Sequence, residues 1–334
     1  MAGAITHEPR AMSRLSDAPL PLVSVVTPSY NKGRFIEETI LSVRNQTYPR
    51  IEHIVVDGGS TDGTLDILRK YGESIVWISE PDQGQSDAIN KGWKMSKGDI
   101  LAYLNADDTY TPMAVETAVK FFTEHPDAGM MYGECNIIDE RGELAGRVET
   151  KDFDLSEILC GPNTVPQPSV FLRRAVLDEV GYIDTGLHMA MDLDLWIRVG
   201  LRFRVEHVPA VLANYRRYSE TKTVGETHRF WPEYFVILDK TFRSGGLPGE
   251  VRALKGRAFS FPHMMLFHHY RSEGDRPRAL YHLSRTLCLH PQRLRELNGW
   301  KFLVGFFIEF FFGKSTLAAA SRFKRRLQAD RSRR

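Results

Sequence analysis

Only three cysteines occur in 334 residues, and Cys135, Cys160 and Cys288 are far apart with no CxxC pair. That spacing argues against a disulfide framework and against a zinc knuckle, and it makes a reducing cytoplasm the expected compartment. No segment supplies the roughly 20 consecutive apolar residues that a membrane-spanning helix needs. The aromatic stretch Phe302 to Phe312 is too short and is broken by Glu309. The first twenty residues carry Arg10 and Arg14 without an apolar core, so they read as a flexible leader rather than a secretory signal. Net charge is also small, at +2, which argues against a general nucleic-acid binder. Finally, no G-x-G-x-x-G follows the first apolar run, Val23 to Val26, which argues against a nicotinamide dehydrogenase. No Gly-rich, basic triphosphate loop follows it either, which disfavours a nucleotidyltransferase.

With 42% hydrophobic and 26% charged residues, the chain is composed to bury a substantial core rather than to stay disordered. The runs Val23 to Pro28 and Ile51 to Val56 are short, β-branched and closed by turn formers. Between them, Phe35 to Val43 repeats apolar residues at helical spacing, so the pattern predicts strand, helix, parallel strand. Ligands of open α/β sheets bind outside the carboxyl ends of the strands, so Thr27 to Asn31 and Asp57 to Asp62 should converge. Helix capping by Asp and Ser is the alternative for these loops. A third strand, Ile100 to Leu104, delivers Asn105-Ala106-Asp107-Asp108 to the same rim. These hard oxygen donors suit Mg²⁺ or Mn²⁺ rather than zinc, and such a site suits a bound diphosphate. Capping of the next helix by Asp107 or Asp108 is compatible with that role.

Five segments together resemble the family 2 glycosyltransferases of the GT-A fold. They are Ser24 to Lys32, Val56 to Gly63, Asp82 to Gly92, Leu104 to Asp108 and Met191 to Trp196, and their order and spacing carry the likeness over residues 22–223. The resemblance implies an α/β fold with a Rossmann-like mixed, mainly parallel sheet flanked by helices. It implies that Thr27, Pro28, Tyr30 and Asp57 line the nucleoside pocket, and that Asp82, Asp87, Asn90, Lys91, Asn105 and Ala106 line the sugar-diphosphate path. Asp107 would hold the divalent metal, with Asp108 either as second-choice ligand or behind it, supporting the ligand without touching the metal. Asp192 would be the general base of an inverting transfer, Gln167 would meet the acceptor, and Arg216 and Lys222 would touch the diphosphate.

The chain departs from the family pattern at several of these positions. Gly58 and Asn105 stand where many relatives have Asp, Ile89 where they have Arg, and Met191 where they have Glu. Tyr218 stands where they have a His that helps hold the metal, so Tyr218 does not simply inherit that role. The expected activity is sugar transfer from a nucleotide-sugar, a UDP-sugar by preference, to a hydroxyl of a glycan or lipid-linked sugar in cell-envelope polysaccharide biosynthesis. The departures motivate the alternative of a catalytically degenerate, nucleotide-sugar-binding scaffold subunit.

Composition changes near Val224, which suggests a leader at 1–20, a GT-A domain at 21–224 and a helical C-terminal region at 225–334. Phe261 to Phe267 surrounds His263 with apolar neighbours, so packing rather than metal binding is expected there. The last fourteen residues hold seven Lys or Arg against Asp330 alone. With the aromatics at 302–312 they suit either a peripheral anchor on an anionic cytoplasmic leaflet or a core helix with a solvated basic end.

Overall fold

The structure is a computed structural model that describes residues 20–221 and 227–293. The leader, Lys222 and the whole aromatic and basic tail lie outside the described residues. Nine strands form one sheet: β1 (Val23–Ser29), β2 (Ile51–Asp57), β3 (Val76–Ser79), β4 (Ile100–Tyr103), β5 (Thr109–Tyr110), β6 (Ala128–Ile138), β7 (Leu144–Arg147), β8 (Val170–Arg173) and β9 (Arg204–Arg216). The order is β3-β2-β1-β4-β8-β6-β9-β5, with β7 paired to β6. The first four neighbours, β3 to β4, are parallel, so β1, β2, β3 and β4 all end at one edge.

Eleven helices accompany the sheet among the described residues. They are α1 (Ile36–Arg44), α2 (Thr64–Lys70), α3 (Gln85–Met95), α4 (Ala114–Glu124), α5 (Leu155–Cys160), α6 (Arg174–Val180), α7 (Met191–Gly200), α8 (Thr227–Arg243), α9 (Gly249–Ala253), α10 (Lys255–Glu273) and α11 (Arg276–Leu289). α1 and the first two strands fall within a residue or so of the sequence reading. α7 includes both Asp192 and Asp194 in its first turn.

Every residue of β1 is buried, as a parallel strand covered on both faces requires. Alternation along the strand sends Val26 into a cluster with Ile89 and Trp93 of α3, while Val23 and Val25 join Ala114, Val115 and Ala118 of α4. A Cβ at Gly92 would come within 2.4 Å of Val26 Cγ1, so the missing side chain is what lets α3 lie directly on β1. Pro28 is tolerated in this central strand because β4 pairs with β1 only as far as Val26, leaving the ladder open before the proline.

The helical C-terminal region shares the main core. Trp231, Tyr234, Ile237 and Leu238 of α8 and Phe261 and Leu266 of α10 belong to the same cluster as α3 and α7. His263 is buried there, against Phe235 and His282, and burial pushes its pKa down to about 4. Among the described residues no helix is long and apolar enough to cross a membrane.

Candidate active site

The loops after β1, β2, β3 and β4 meet at the shared edge and are cross-tied. Asn31, which tolerates its left-handed φ of 51°, donates its N–H to Ser60 Oγ at 2.7 Å and accepts from Thr61 N at 2.9 Å. Lys32 N reaches Thr64 Oγ1 and Gly33 N reaches Asp62 Oδ2. Asp57 is fully buried and holds its own turn, accepting from the N–H groups of Gly59 and Ser60 and from the hydroxyls of Ser60 and Ser79. Thr27 is buried too, its hydroxyl 2.9 Å from His53 Nε2. Burial pushes His53 down to about 4, which keeps that imidazole neutral. Of the expected nucleoside residues, Tyr30 is the open one, at 61% exposure, while Pro28 is buried.

The Asp82 carboxylate takes the space left by Gly58: a Cβ there would lie 2.7 Å from Asp82 Oδ2. Its other oxygen accepts from Gly84 N at 2.8 Å. Asp87 and Lys91 pair with each other at 3.2 Å, and Lys91 also pairs with Glu80 at 3.0 Å. Those hydrogen bonds, the one Lys91 donates to Glu80 foremost, raise the Lys91 pKa.

Asn90 is placed differently from the expectation. Its amide is bonded at both ends to the Ile183 backbone, so it fastens α3 to the loop that leads to α7. Ser86 adds to that fastening through Leu187 O and Met191 Sδ.

An amide chain crosses the floor. Gln85 Nε2 donates to Asn105 Oδ1 at 2.6 Å, Asn105 Nδ2 donates to Gln167 Oε1 at 3.1 Å and to Asp108 Oδ2 at 3.2 Å, and Gln167 Nε2 donates to Tyr103 O at 2.8 Å. Gln167, expected to meet the acceptor, therefore has both amide ends engaged in the floor. Ala106 packs into the cluster of Ile36, Ile40 and Val55 and presents no group to the rim.

The two aspartates of the motif divide. Asp107 keeps 13% of its side chain exposed, and its Oδ2 faces Lys32 Nζ at 2.7 Å and the Tyr218 hydroxyl at 2.8 Å. Lys32 also donates to Tyr218 at 2.5 Å. Burial alone would lower the Lys32 pKa, yet the Asp107 charge and the hydrogen bonds outweigh it and hold the ammonium above its ordinary value. Asp108 departs from the expectation of a second ligand. It is wholly buried, and burial followed by the neighbouring Asp107 charge raises its pKa well above the carboxylate range.

Arg216 departs as well. It is 1% exposed and bonds to Glu38 and to the carbonyls of Asp107, Asp139 and Glu140, while its backbone N–H serves Asp108. It buttresses the Asp107-Asp108 loop, with its guanidinium engaged by protein groups.

Among the described residues no group of three His, Cys, Asp or Glu is arranged to enclose a metal. The donor set is one accessible carboxylate, Asp107. That fits a Mg²⁺-type ion shared with substrate phosphates, which commonly takes one or two protein carboxylates, and does not fit a closed protein cage.

Asp192 sits in the first turn of α7, half-buried, and accepts a hydrogen bond from Leu193 N at 2.8 Å. Burial pushes its pKa up to about 6, against the lowering effect of the backbone bonds. Tyr103, at the end of β4, feels the charges of both Asp192 and Asp108. Asp194 is buried and paired with Arg198 at 2.9 Å, which makes it a structural helix acid.

The family description "Glycosyl transferase family 2" matches residues 24–181. A glycosyltransferase of Mycobacterium bovis, named for PGL/p-HBAD biosynthesis, is 30% identical over 208 residues, covering 60% of this chain and 78% of that protein. The chain belongs to glycosyl transferase family 2. Another family-type relative, an uncharacterized glycosyltransferase of Mycobacterium tuberculosis, is 28% identical and covers 64% of this chain and 86% of its own length. This family 2 chain spans only 35% of a longer glycosyltransferase from Rickettsia felis. Among solved structures, S. aureus TarS 1–349 in complex with UDP-GlcNAc matches with TM-score 0.61 and 19% identity, over 83% of each chain. Mannosyltransferase PcManGT from Pyrobaculum calidifontis, in complex with GDP-Man and Mn²⁺, matches with TM-score 0.53 and 19% identity, over 88% of each. The fold is therefore that of the GT-A glycosyltransferases.

Three rim residues were missed in the sequence. Lys32 lies one residue beyond the first loop considered, so the strand-end rule applied one step further would have included it. Tyr218 was set aside as a lost histidine, although a phenol still donates to Asp107. Gln85 is one polar residue among several in its segment, and only the fold shows it bridging to Asn105.

Proposed function

We propose that this chain is an inverting glycosyltransferase that moves a sugar from a nucleotide-sugar donor, a UDP-sugar, to a hydroxyl of a glycan or lipid-linked acceptor. The observation that carries the reading is Asp192, in the first turn of α7, whose carboxyl is pushed up to about 6 by burial and whose charge, like that of Asp108 in the metal motif, is felt by Tyr103. A general base works best with a pKa near the operating pH. The α3 first turn links the two sides, Gln85 touching Asn105 and Ser86 touching Met191. The nucleotide-sugars named in the TarS and PcManGT complexes support the donor class.

In this reading the acceptor oxygen attacks the anomeric carbon opposite the diphosphate, and its proton passes to an Asp192 oxygen. The new C–O bond forms as the bond to the diphosphate breaks, the electron pair leaving with the nucleoside diphosphate. Lys32 brings positive charge to the rim where that oxygen departs. Asp107 would hold a Mg²⁺ or Mn²⁺ ion, which when bound supplies Lewis-acid stabilisation of the leaving group. With a lipid-linked acceptor, the basic end at 314–326 suits the surface of an anionic leaflet.

The test is nucleotide release from UDP-, GDP- and dTDP-sugars with Mg²⁺, Mn²⁺ or EDTA. Metal-dependent release from one donor, abolished in Asp107→Ala and Asp192→Asn, is expected. Absence of both release and nucleotide binding would overturn this reading in favour of the scaffold subunit that Asn105, Met191 and Tyr218 suggested.

Lys32 and a metal compete for the same Asp107 oxygen. Lys32→Met is therefore expected to lower the Mn²⁺ concentration that half-saturates the UDP-bound protein by about five-fold, the equivalent of ~1 kcal/mol for a partly exposed pair. The electron paramagnetic resonance signal of free Mn²⁺ reads this directly, and a rise instead would place Lys32 on the diphosphate.

A further inference from the structure

Helix α7 begins without a cap of its own. Ala190 stands at the N-cap position and offers no side-chain acceptor, so the N–H groups at the start of the helix need partners from elsewhere. The turn that leads into the helix, His188 to the N-cap Ala190, finds a partner 43 to 45 residues on. Glu233 of α8 accepts from Met189 N at 2.8 Å, from Ala190 N at 2.9 Å, and from His188 N at 3.0 and 3.1 Å through its two oxygens. A carboxylate in this place is favoured twice over, by charge-assisted hydrogen bonding and by the positive end of the helix.

The same helix holds the loop at two further points. Lys240, two turns on, pairs with Asp184 at 2.6 Å and with Asp194 at 2.9 Å. Residues 184, 188–190 and 194 are thus fixed from α8 on either side of Asp192. α8 is itself anchored, with Trp231, Tyr234, Ile237 and Leu238 buried and the Tyr234 hydroxyl donating to Ile158 O at 2.9 Å.

We propose that Glu233 is a positioning residue for sugar transfer, supplied by the C-terminal helical region to set the backbone from which Asp192 reaches the acceptor. The proposal rests on the reading of Asp192 as base. It gives the region beyond the matched family segment a part in the chemistry that its sequence does not advertise. Glu233 also places a second negative charge near Asp192, which adds to burial in holding that carboxyl above its ordinary value. From β4 the facing group is Tyr103, neutral because burial and then the Asp192 charge raise its pKa.

The experiment compares wild type, Glu233→Ala, Glu233→Gln and Asp192→Asn in the full chain, reading kcat, donor KM, the acid limb of the pH profile and hydrogen exchange at the amides of 188–190. Alanine removes both the acceptor and the charge, and is expected to lower kcat by about ten- to a hundred-fold with donor KM nearly unchanged, as misplacement of a catalytic group does. Exchange at 188–190 should accelerate in the same variant. Glutamine keeps an acceptor oxygen without the charge, so it should restore most of kcat while moving the acid limb to lower pH. If Asp192→Asn is inactive but Glu233→Ala keeps wild-type kcat and pH limb, the positioning role is overturned. Equal loss of kcat and donor affinity without rescue by glutamine would also overturn it, as a merely structural role. Full turnover in Asp192→Asn would instead overturn the base assignment.

Discussion

Asp192→Asn is expected to lower kcat by about 10³-fold, the middle of the range for loss of a general base, while nucleotide affinity stays within about two-fold. Asparagine keeps the size of the side chain and can still accept from Leu193 N, so the α7 turn survives. Only the ability to take the acceptor proton is lost. Because the folded carboxyl titrates at about 6, the wild-type rate should rise as pH climbs through that value and level off above it. The variant's residual rate should lack this limb.

Stability should move the other way. The Asp192 pKa is about 6 in the fold against 3.8 for the ordinary group, so between those values the folded protein holds a proton that the unfolded chain has released. That contribution is present at low pH and is lost as pH rises through 6. At pH 8 the ionised carboxylate therefore costs about 3 kcal/mol, which asparagine does not incur. The variant should unfold at higher denaturant than wild type at pH 8, with the gap closing as pH approaches 4. A wild-type kcat in the variant would remove Asp192 from the mechanism, and an unchanged unfolding midpoint would remove the burial argument.

Arg216→Ala is expected to destabilise the protein by about 3–5 kcal/mol, the scale of leaving buried polar and charged partners unpaired. The carbonyls of Asp107, Asp139 and Glu140 would lose their donor, and the buried Asp108 would lose its nearby cation. The guanidinium also lies over the Phe35 ring at 4.9 Å, so packing is lost with the charge. Arg216→Lys should recover little of this, since one ammonium cannot replace a planar fork bonded on several sides. A diphosphate contact would behave differently, weakening UDP binding at an unchanged melting temperature. Thermal unfolding and UDP titration of the lysine variant separate the two cases.

Helix α8 shows where local reading stops. A helical C-terminal region is expected from the change of composition near Val224. Nothing in Trp231-Pro232-Glu233-Tyr234 shows that the carboxylate closes the start of α7, because the partner N–H groups lie more than forty residues earlier. The polar residues of the rim behave alike. Asp57, Asp82 and Asp107 look equivalent as acids ending strands, yet one holds its own turn, one fills the space beside a glycine and one faces an ammonium.

By itself the sequence determined the first strand, helix and parallel strand, the later strand at Ile100–Leu104, the convergence of their three loops on one edge, and the family. These follow from apolar periodicity and turn chemistry, which act over a few residues, and from motifs that are linear. Tertiary structure alone decided which polar groups stay open and which are engaged. Thr27, Asn90, Asp108 and Arg216 are closed off by partners 26 to 178 residues distant. Burial and hydrogen-bond satisfaction depend on what the fold brings alongside a side chain, and no local pattern records that.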